Sequence, residues 1–295
     1  MSWGMWITIL INGLCTGSLF GLVSAAFSFQ LGALRMLNFA YGAILMTGMY
    51  LTYAGVHYLG LRIVMVVPIL LFLYFCAGYF LRATLLKKTV TSNQIILTAG
   101  VALLLESLVL FTAGAMPRSM FTGIPPTWRF PLENNGIIII NKLNILTLVV
   151  STAVLIGFSM FLKRTWLGMT IRAVVQQKEA ASLMGVDSER IINIGFGISF
   201  VITAIASLII SLQFVLEPST GPYYQLIGFL VCVIAGMGNL KGGFYAGLLV
   251  GLISTMVNIF IAPWHDPAIF VFFVFVLVFL PNGVFVSRKN ITRAV

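Results

Sequence analysis

The stretch RIVMVVPILLFLYFCAGYFLR, residues 62–82, decides the fold class of this 295-residue chain. Its 19 residues between Arg62 and Arg82 carry no charge, and about 20 apolar residues in helical form cross the hydrocarbon core of a bilayer. The whole chain is 60% hydrophobic and 8% charged, whereas a soluble domain carries about 25% charged residues. The composition excludes a water-soluble fold and predicts a transmembrane helix at this position.

Similar apolar stretches recur along the chain, and the N-terminus lacks the basic region of a cleavable signal, so we expect the first stretch to be retained as a helix. The stretches lie at about 7–29, 36–56, 62–82, 92–114, 144–162, 191–214, 223–240, 242–262 and 267–287. We therefore predict an all-α, polytopic transmembrane bundle. It has about eight or nine membrane segments, some of them short or broken, in a single transmembrane domain over residues 1–295.

The distribution of the 17 basic residues predicts the orientation of the bundle. If the last segment ends inside, alternation of the segments places 13 basic residues inside: Arg35, Arg82, Lys87, Lys88, Lys163, Arg164, Arg172, Lys178, Arg190, Lys241, Arg288, Lys289 and Arg293. Four fall outside: Arg62, Arg118, Arg129 and Lys142. Because cytoplasmic loops carry the excess of Lys and Arg, we expect the N-terminus outside and the C-terminus in the cytoplasm.

Two connections between the apolar segments are long. Residues 115–143 form the external loop; their four prolines and Trp128 indicate an ordered surface loop or a short interfacial helix. Residues 163–190 form the cytoplasmic loop, which we expect to be helical from about Thr170 to Met184, with Gly185 at the C-cap and Asp187 capping the next helix. This amphipathic helix either lies on the headgroups or docks on a partner.

Glycines repeat in the same spacing near both ends of the chain. Gly13, Gly17 and Gly21 in the first segment match Gly243, Gly247 and Gly251 in the eighth, a spacing that lets helix backbones approach closely. Each set flanks a short polar break, at residues 32–38 and 236–243. Such breaks either mark a transport site or reflect plain glycine packing. The topology puts both breaks near the cytoplasmic side, at the inner exit, unless they dip into the membrane.

Two motifs carry a resemblance to a known family. The pattern Thr165-x-x-Gly168-x-x-x-Arg172-Ala173, followed by Glu179-Ala180-Ala181 and Met184-Gly185-Val186-Asp187, resembles the coupling segment of branched-chain amino acid ABC transporter permeases. The stretch Leu37-Asn38-Phe39-Ala40-Tyr41-Gly42 is similar to Leu-Asn-Phe-Ala-His-Gly of their LivH-type subunit. Further matches are Gly236-Met-Gly-Asn-Leu-Lys-Gly-Gly and Pro281-Asn-Gly-Val-Phe, so the resemblance runs nearly end to end.

The resemblance implies a non-catalytic permease subunit of an importer in the prokaryotic inner membrane. Its implied partners are a second homologous permease, two cytoplasmic ATPases that bind ATP and Mg, and an external solute-binding protein. Residues 163–190 would dock in the ATPase cleft through the coupling residues Arg172, Gln177, Glu179, Ala180, Ala181, Met184 and Gly185. The implied substrate is a branched-chain or other small amino acid.

The sequence departs from the family where selection of the substrate is expected. Tyr41 replaces a histidine, and Asn239 and Lys241 stand where serine and proline are common. Permeases for urea and amides, small carboxylates, sugars or nucleosides therefore remain alternatives. A stand-alone secondary transporter is a further one, although it would need coupling-ion carboxylates in the core, where Glu106 is the good candidate.

Four polar residues within apolar stretches are candidates for the substrate path: Asn38, Tyr41, Glu106 and Asn239. Asn38 either caps the break or contacts substrate, and Tyr41 is expected on the same helix face. A carboxylate at the depth of Glu106 costs about 3 kcal/mol, so it needs either a wet path or a bond to a neighbouring helix. Glu217 is either a solvated loop residue or a contact for the solute-binding protein.

The sequence contains no motif for chemistry of its own. It has no phosphate-binding loop, paired carboxylates, nucleophile with a base, or zinc-ligand spacing. Its three cysteines and two histidines have no paired spacing, which argues against a disulfide framework or a metal site. We therefore expect no cofactor in this chain.

Overall fold

A computed structural model describes residues 3–34, 36–87, 91–120, 127–131, 137–236, 238–279 and 283–285, and they are predominantly α-helical. The helices are α1 (Trp3–Ser28), α2 (Tyr41–His57), α3 (Ile63–Leu81), α4 (Thr91–Ala113), α5 (Lys142–Arg164), α6 (Trp166–Gln176), α7 (Lys178–Leu183), α8 (Ser188–Gln213), α9 (Thr220–Ala235), α10 (Leu240–Phe260) and α11 (His265–Phe279). A π turn extends α1 over Phe29–Ala33 and α3 over Arg82–Leu86, and a 3-10 turn, Ala262–Trp264, precedes α11.

The apolar segments correspond to helices α1 to α5 and α8 to α11. Within the described ranges, six of these helices are long and apolar enough to cross a membrane: α1, α3, α4, α5, α8 and α10. Helices α9 and α11 are apolar but shorter, and α2 has 17 residues. A multi-pass membrane fold is confirmed, while eight or nine crossings stay a prediction. The tail basic residues Arg288, Lys289 and Arg293, with Arg35 and Lys88, lie outside the described residues.

The connection between α4 and α5, for which an ordered surface loop or a short interfacial helix is predicted, contains a short β-ribbon. Strand β1 (Thr127–Pro131) pairs antiparallel with β2 (Ile137–Asn141), with Thr127 opposite Asn141. Four consecutive isoleucines in β2 explain the difference, because β-branched side chains favour strands over helices. Among the described residues the ribbon is confined to one connection, and the predicted all-α class is confirmed for the bundle.

The chain divides into two compact units, each assembled from separate stretches. Unit 1 comprises residues 1–25, 122–155 and 227–295, and unit 2 comprises residues 26–121 and 156–226. Each unit is described by itself below.

Unit 2 is built around α8. In the most apolar 18-residue stretch of α8, 72% is buried inside the protein, against 11% in that of α4. Aromatic rings of α3 and α8 fill the space left by glycines of the opposite helix. A Cβ on Gly78 would lie 2.7 Å from the Phe200 ring, and one on Gly197 would lie 3.0 Å from the Phe75 ring. This close packing of aromatic rings against glycines stabilises the contact between α3 and α8.

A buried tyrosine joins α2 to α3 in unit 2. The Tyr74 hydroxyl donates a hydrogen bond of 2.7 Å to the carbonyl of Ile44. Gly48, one turn further along α2, leaves room for that hydroxyl and for Ser207, because a Cβ there would lie 2.7 Å and 2.3 Å from the two oxygens. The Tyr74 bond satisfies a phenol that burial in an apolar unit would otherwise leave without a partner.

In unit 1, the two glycine repeats of the sequence pack on one another. Helices α1 and α10 run antiparallel along this contact: Gly13 faces Leu252, Gly17 faces Leu248, and Gly21 faces Phe244. A Cβ on Gly251 would lie 2.2 Å from the Gly17 backbone, and one on Gly247 would lie 2.4 Å from that of Gly21. The repeated spacing therefore encodes a backbone-to-backbone helix contact.

Substitution of Gly251 by alanine tests this contact. The added methyl group meets backbone atoms that have no rotamer to change, so the variant should lose about 1–3 kcal/mol of stability. The measurement is the apparent melting temperature of the detergent-solubilised protein.

Gly100→Ala is the matched control, since a Cβ at Gly100 of α4 meets nothing within 4 Å. It should leave the melting temperature unchanged or raise it slightly, because alanine favours the helix more than glycine. An equal loss in both variants would contradict the packing role of Gly251.

Candidate functional site

The break between α1 and α2 lies deep in unit 2. The Gln30 amide donates a hydrogen bond of 2.9 Å to Ser199 Oγ, and the Phe39 N–H donates one of 3.1 Å to Thr98 Oγ1. Ser199 is about 16 Å along α8 from its first residue, and Thr98 about 10 Å along α4, at 1.5 Å per residue. The break thus dips between the interiors of two membrane-length helices.

Both polar atoms of the Asn38 side chain make hydrogen bonds within this break. Its Nδ2 donates to Gln30 Oε1 at 3.1 Å, and its Oδ1 accepts from the Ala40 N–H at 3.0 Å. The side chain is 2% exposed. The structure therefore places Asn38 as a cap of the break, the first of its two interpretations, and its place in the substrate path stays a prediction.

Tyr41 is the first residue of α2 and is completely buried. Its hydroxyl shares a hydrogen bond with Thr203 of α8, and its ring meets Phe27 edge-on at 5.4 Å. The prediction that Asn38 and Tyr41 share a helix face was wrong, because Asn38 precedes α2 and lies in irregular backbone. Tyr41 as part of the path also stays a prediction.

The N-terminus of α2 is covered by a neutral side chain that the sequence analysis did not single out. The Gly42 N–H donates to Gln225 Oε1 of α9 at 2.6 Å. A Cβ on Gly42 would lie 2.2 Å from the Gly221 carbonyl oxygen, so only glycine allows this approach. The sequence does not indicate four of these polar partners, because each lies singly in an apolar stretch and their convergence depends on the tertiary fold. They are Gln30, Ser199, Thr98 and Gln225.

The second break, in unit 1, is closed by the end of the described chain. Asn239 caps α10 by accepting from the Gly242 N–H at 3.0 Å, and its Nδ2 donates to the Phe285 carbonyl at 2.9 Å. Gly236 and Gly283 both have φ near +84° and touch backbone to backbone. Two motifs of the family resemblance therefore meet at this break, and Asn239 as a path residue stays a prediction.

Glu106 lies half-buried on α4. Its neighbours Leu103, Leu104 and Leu108 are between 58% and 71% exposed. Within the part of the chain that the structure describes, no hydrogen bond or ion pair to its carboxylate is found. Its role in the substrate path stays a prediction.

The loop between α5 and α8 forms two helices rather than one. Thr165 caps α6 by accepting from the Gly168 N–H at 3.0 Å. Gln177 is extended, with φ −148° and ψ 91°, and separates α6 from α7. The single helix predicted from Thr170 to Met184 was wrong at Gln177, because contacts of Lys178 with the start of α8 require the chain to turn there.

The end of this loop follows the prediction more closely. Gly185 has φ +83°, which suits a glycine C-cap, and Asp187 caps α8 by accepting from the Arg190 N–H at 3.1 Å. Ala181 is buried, at 8% exposed, while Ala180 faces out. The expected small pair is therefore available to a partner at Ala180 alone.

The outward surface of the loop is continuous with an exposed apolar tip. Leu183 is 88% and Met184 84% exposed at the end of α7. The other exposed residues among the coupling candidates are Arg172, Gln177, Glu179, Ala180 and Gly185. Two large apolar side chains this exposed at a polar helix end are typical of a contact with another protein or with the membrane.

Arg118 joins three chain segments at the end of unit 2 that lies opposite the start of α8. Its guanidinium donates to the Tyr58 hydroxyl and, at 2.6 Å, to the Ala113 carbonyl, and its backbone pairs with Leu216. The hydrogen bond to Tyr58 raises the pKa of Arg118 above its ordinary value, so the cation persists. Glu217, next to Leu216, accepts from Ser219 Oγ at 3.2 Å within its own turn.

Chemical groups for metal binding are not assembled in the described ranges, where no group of three or more His, Cys, Asp and Glu side chains could hold an ion. What the described chain does present is a buried polar break in unit 2, a capped break in unit 1 and an exposed helical loop. Interrupted membrane helices of this kind are typical of transport subunits.

Comparison with known proteins agrees with this architecture. The model of the family described as "Branched-chain amino acid transport system / permease component" matches residues 9–280. The chain belongs to this family. Two permease relatives match at low identity but over nearly full length. The high-affinity branched-chain amino acid permease BraD of Pseudomonas aeruginosa is 26% identical, over 93% of this chain and 94% of its own length. The corresponding LivH of Salmonella typhimurium is 23% identical over the same shares.

A shorter match links the permease to a different named transporter. The L-arabinose transport system permease AraH of Escherichia coli is 33% identical over 37% of this chain and 35% of its own length. No solved structure matches the chain. The LivH-type resemblance and an ABC permease role are thus established at the level of the family.

Removing the Asn38 amide tests its structural role at the break. In Asn38→Leu the Ala40 N–H and Gln30 Oε1 lose their partners, and each unsatisfied buried group costs about 1–3 kcal/mol. The apparent melting temperature should therefore fall. Asn93→Leu, at an exposed site on α4, is the control, and an equal melting temperature for all three proteins would contradict the capping role.

Proposed function

We propose that the chain is one permease subunit of an ATP-driven importer for branched-chain or other small amino acids in a prokaryotic inner membrane. It pairs with a homologous second permease and binds two cytoplasmic ATPases through residues 165–187. Substrate arrives from an external solute-binding protein. ATP and Mg are bound by the ATPases, and this chain converts their closure into the opening of a path.

The observation that carries the proposal is an exposed segment between α5 and α8 in a chain that matches the permease family almost throughout. This segment, residues 165–187, contains α6 and α7 and is called the α6–α7 loop below. Leu183, Met184 and Ala180 face out from it, while the buried faces of α6 and α7 pack on their own unit. Ile171 and Val174 provide the buried side of α6, at 1% and 3% exposed. A loop that is firmly packed on one side and exposes an apolar tip on the other suits a docking segment.

Charge and contacts support the orientation. Arg118 connects the ends of α2, α4 and α8, whereas Arg82 and Glu189 connect the other ends of α3 and α8. The positive-inside rule assigns the second set to the cytoplasm together with the α6–α7 loop. The Arg118 end, with Glu217, then faces the solute-binding protein.

The break in unit 2 is the proposed place of the substrate path. Its depth supports this, because irregular backbone at membrane depth is tolerated only where it is buried in protein or lines a cavity. In the present conformation Asn38 and Tyr41 bond within the unit. Access to substrate therefore requires these bonds to exchange as the permeases rock against each other.

The similarity to the arabinose permease favours one alternative, a small sugar as the substrate. It covers only 37% of the chain, whereas the two amino acid permeases match over 93%. The amino acid is therefore preferred. Urea, short amides and small carboxylates are tested beside it.

Co-purification of the tagged chain with its partners is the decisive experiment. We expect recovery of a second permease and an ATPase, and binding of leucine, isoleucine or valine to the associated solute-binding protein by calorimetry. Arabinose and urea serve as comparison ligands. Failure to recover any ATPase would exclude the importer, and binding of arabinose alone would replace the amino acid by a sugar.

A bulky residue at Ala180 tests the docking segment. Ala180→Trp places a large ring on the exposed face, so ATP hydrolysis stimulated by the loaded binding protein should fall by about tenfold or more, with membrane insertion intact. Ala262→Trp, at an exposed site before α11, is the control. Stimulation equal to wild type in Ala180→Trp would refute the coupling role of the segment.

A further inference from the structure

Three charged side chains connect the α6–α7 loop to the helices of unit 2. Glu189, the second residue of α8, accepts at Oε2 from Arg82 at 3.3 Å and at Oε1 from Lys178 at 2.5 Å. Arg82 follows the last residue of α3 and begins its π turn, and Lys178 begins α7. One carboxylate therefore joins three elements, with a different oxygen for each basic partner.

Hydroxyl groups reinforce the contact between α7 and α8. Ser182 Oγ and Ser188 Oγ lie 2.8 Å apart, and Ser188 also donates to the Lys178 carbonyl at 3.3 Å. Buried Ala181 lies on the same short helix. Helix α7 is thus fastened to the start of α8 at both of its ends.

The backbone on either side of α7 is not helical. Gln177 is extended, and Gly185 has φ +83°, a conformation that favours glycine. These two residues are the positions at which the chain can bend without breaking a helix. A displacement of α7 therefore reaches the long helices through its side-chain contacts more directly than through the backbone.

The two arms of the Glu189 network differ in burial. The Arg82 side chain is 7% exposed and that of Lys178 54%. Arg82 Nε and Nη1 are buried and have no hydrogen-bond partner within the described residues, so its cation depends on Glu189. A buried charge pair separates at high cost, whereas an exposed one exchanges readily with water. The Arg82–Glu189 ion pair therefore keeps α3 and α8 together, whereas the Lys178–Glu189 ion pair to α7 can break and re-form.

We infer that Glu189 is a positioning residue that transmits the displacement of α7 to α3 and α8 through its contact with Lys178. The inference rests on the proposed docking of the α6–α7 loop on an ATPase. When an ATPase moves α7, the Lys178–Glu189 contact pulls the start of α8, and the buried Arg82–Glu189 pair carries α3 with it. Without the Lys178 contact, the described hydrogen bonds hold α7 to α8 only through the hydroxyls of Ser182 and Ser188, and less of the displacement of α7 reaches the Arg82–Glu189 pair and α3.

The test uses the complete transporter in proteoliposomes, with leucine as the transported probe. In Lys178→Gln the amount of leucine transported per ATP hydrolysed by the recovered ATPases should fall about tenfold, within the range of allosteric coupling. Lys178→Arg should restore the ratio, because its guanidinium keeps the charged contact with Glu189. A merely structural role would lower transport and hydrolysis together and leave their ratio unchanged.

Arg190→Gln is the matched control, since it also removes one cation near Glu189 but breaks only a local ion pair with Asp187. It should keep the wild-type ratio. Glu189→Gln should lower the ratio at least as far as Lys178→Gln. Its melting temperature is measured in parallel because the substitution also leaves Arg82 without its counter-charge.

A wild-type ratio in Lys178→Gln would overturn the inference while leaving the importer intact. A ratio that falls equally in Arg190→Gln would overturn it too, because the effect would then follow from net charge. Absence of an ATPase from the wild-type complex would instead overturn the proposed function, and the inference with it.

Discussion

Every backbone polar group inside a bilayer needs a partner within the protein, and this constraint shapes the break between α1 and α2. The described residues between the π turn and α2 leave the regular helical pattern. The N–H groups of Ala40 and Phe39 donate to Asn38 and Thr98, that of Gly42 at the start of α2 donates to Gln225, and the network continues through Gln30 to Ser199. Each of these side chains comes from a different place in the sequence. The break is therefore stable only because α4, α8 and α9 already surround it.

The same dependence sets the limit of what the sequence predicts. The apolar segments, the cap at Asp187, the glycine at 185 and the two glycine repeats follow local rules and are found in place. The turn at Gln177 and the exposure difference between Ala180 and Ala181 do not, because distant contacts with α8 decide them. The β-ribbon has a local signal too, in the four consecutive isoleucines of β2.

The candidate site was predicted in part for the same reason. Asn38 and Asn239 were recognised as polar residues at breaks, and both prove to be caps. Their partners Gln30 and Phe285 could not be inferred, since single residues in apolar stretches carry no pairing information. Glu189 was likewise hidden: beside Asp187 and Arg190 it resembles an ordinary first-turn acid, and only the fold brings Arg82 and Lys178 to it.

The contact between α1 and α10 has a consequence for biosynthesis. Its two halves are separated by more than 200 residues, since Gly13 meets Leu252, and chains emerge from the ribosome N-terminus first. The glycine face of α1 therefore stays in the membrane without its partner α10 until almost the whole polypeptide has been made. Lipid cannot fill such a groove as closely as a helix backbone does. Unit 1 is thus the last to close, and a truncated nascent chain would present this face to the quality-control proteases of the membrane.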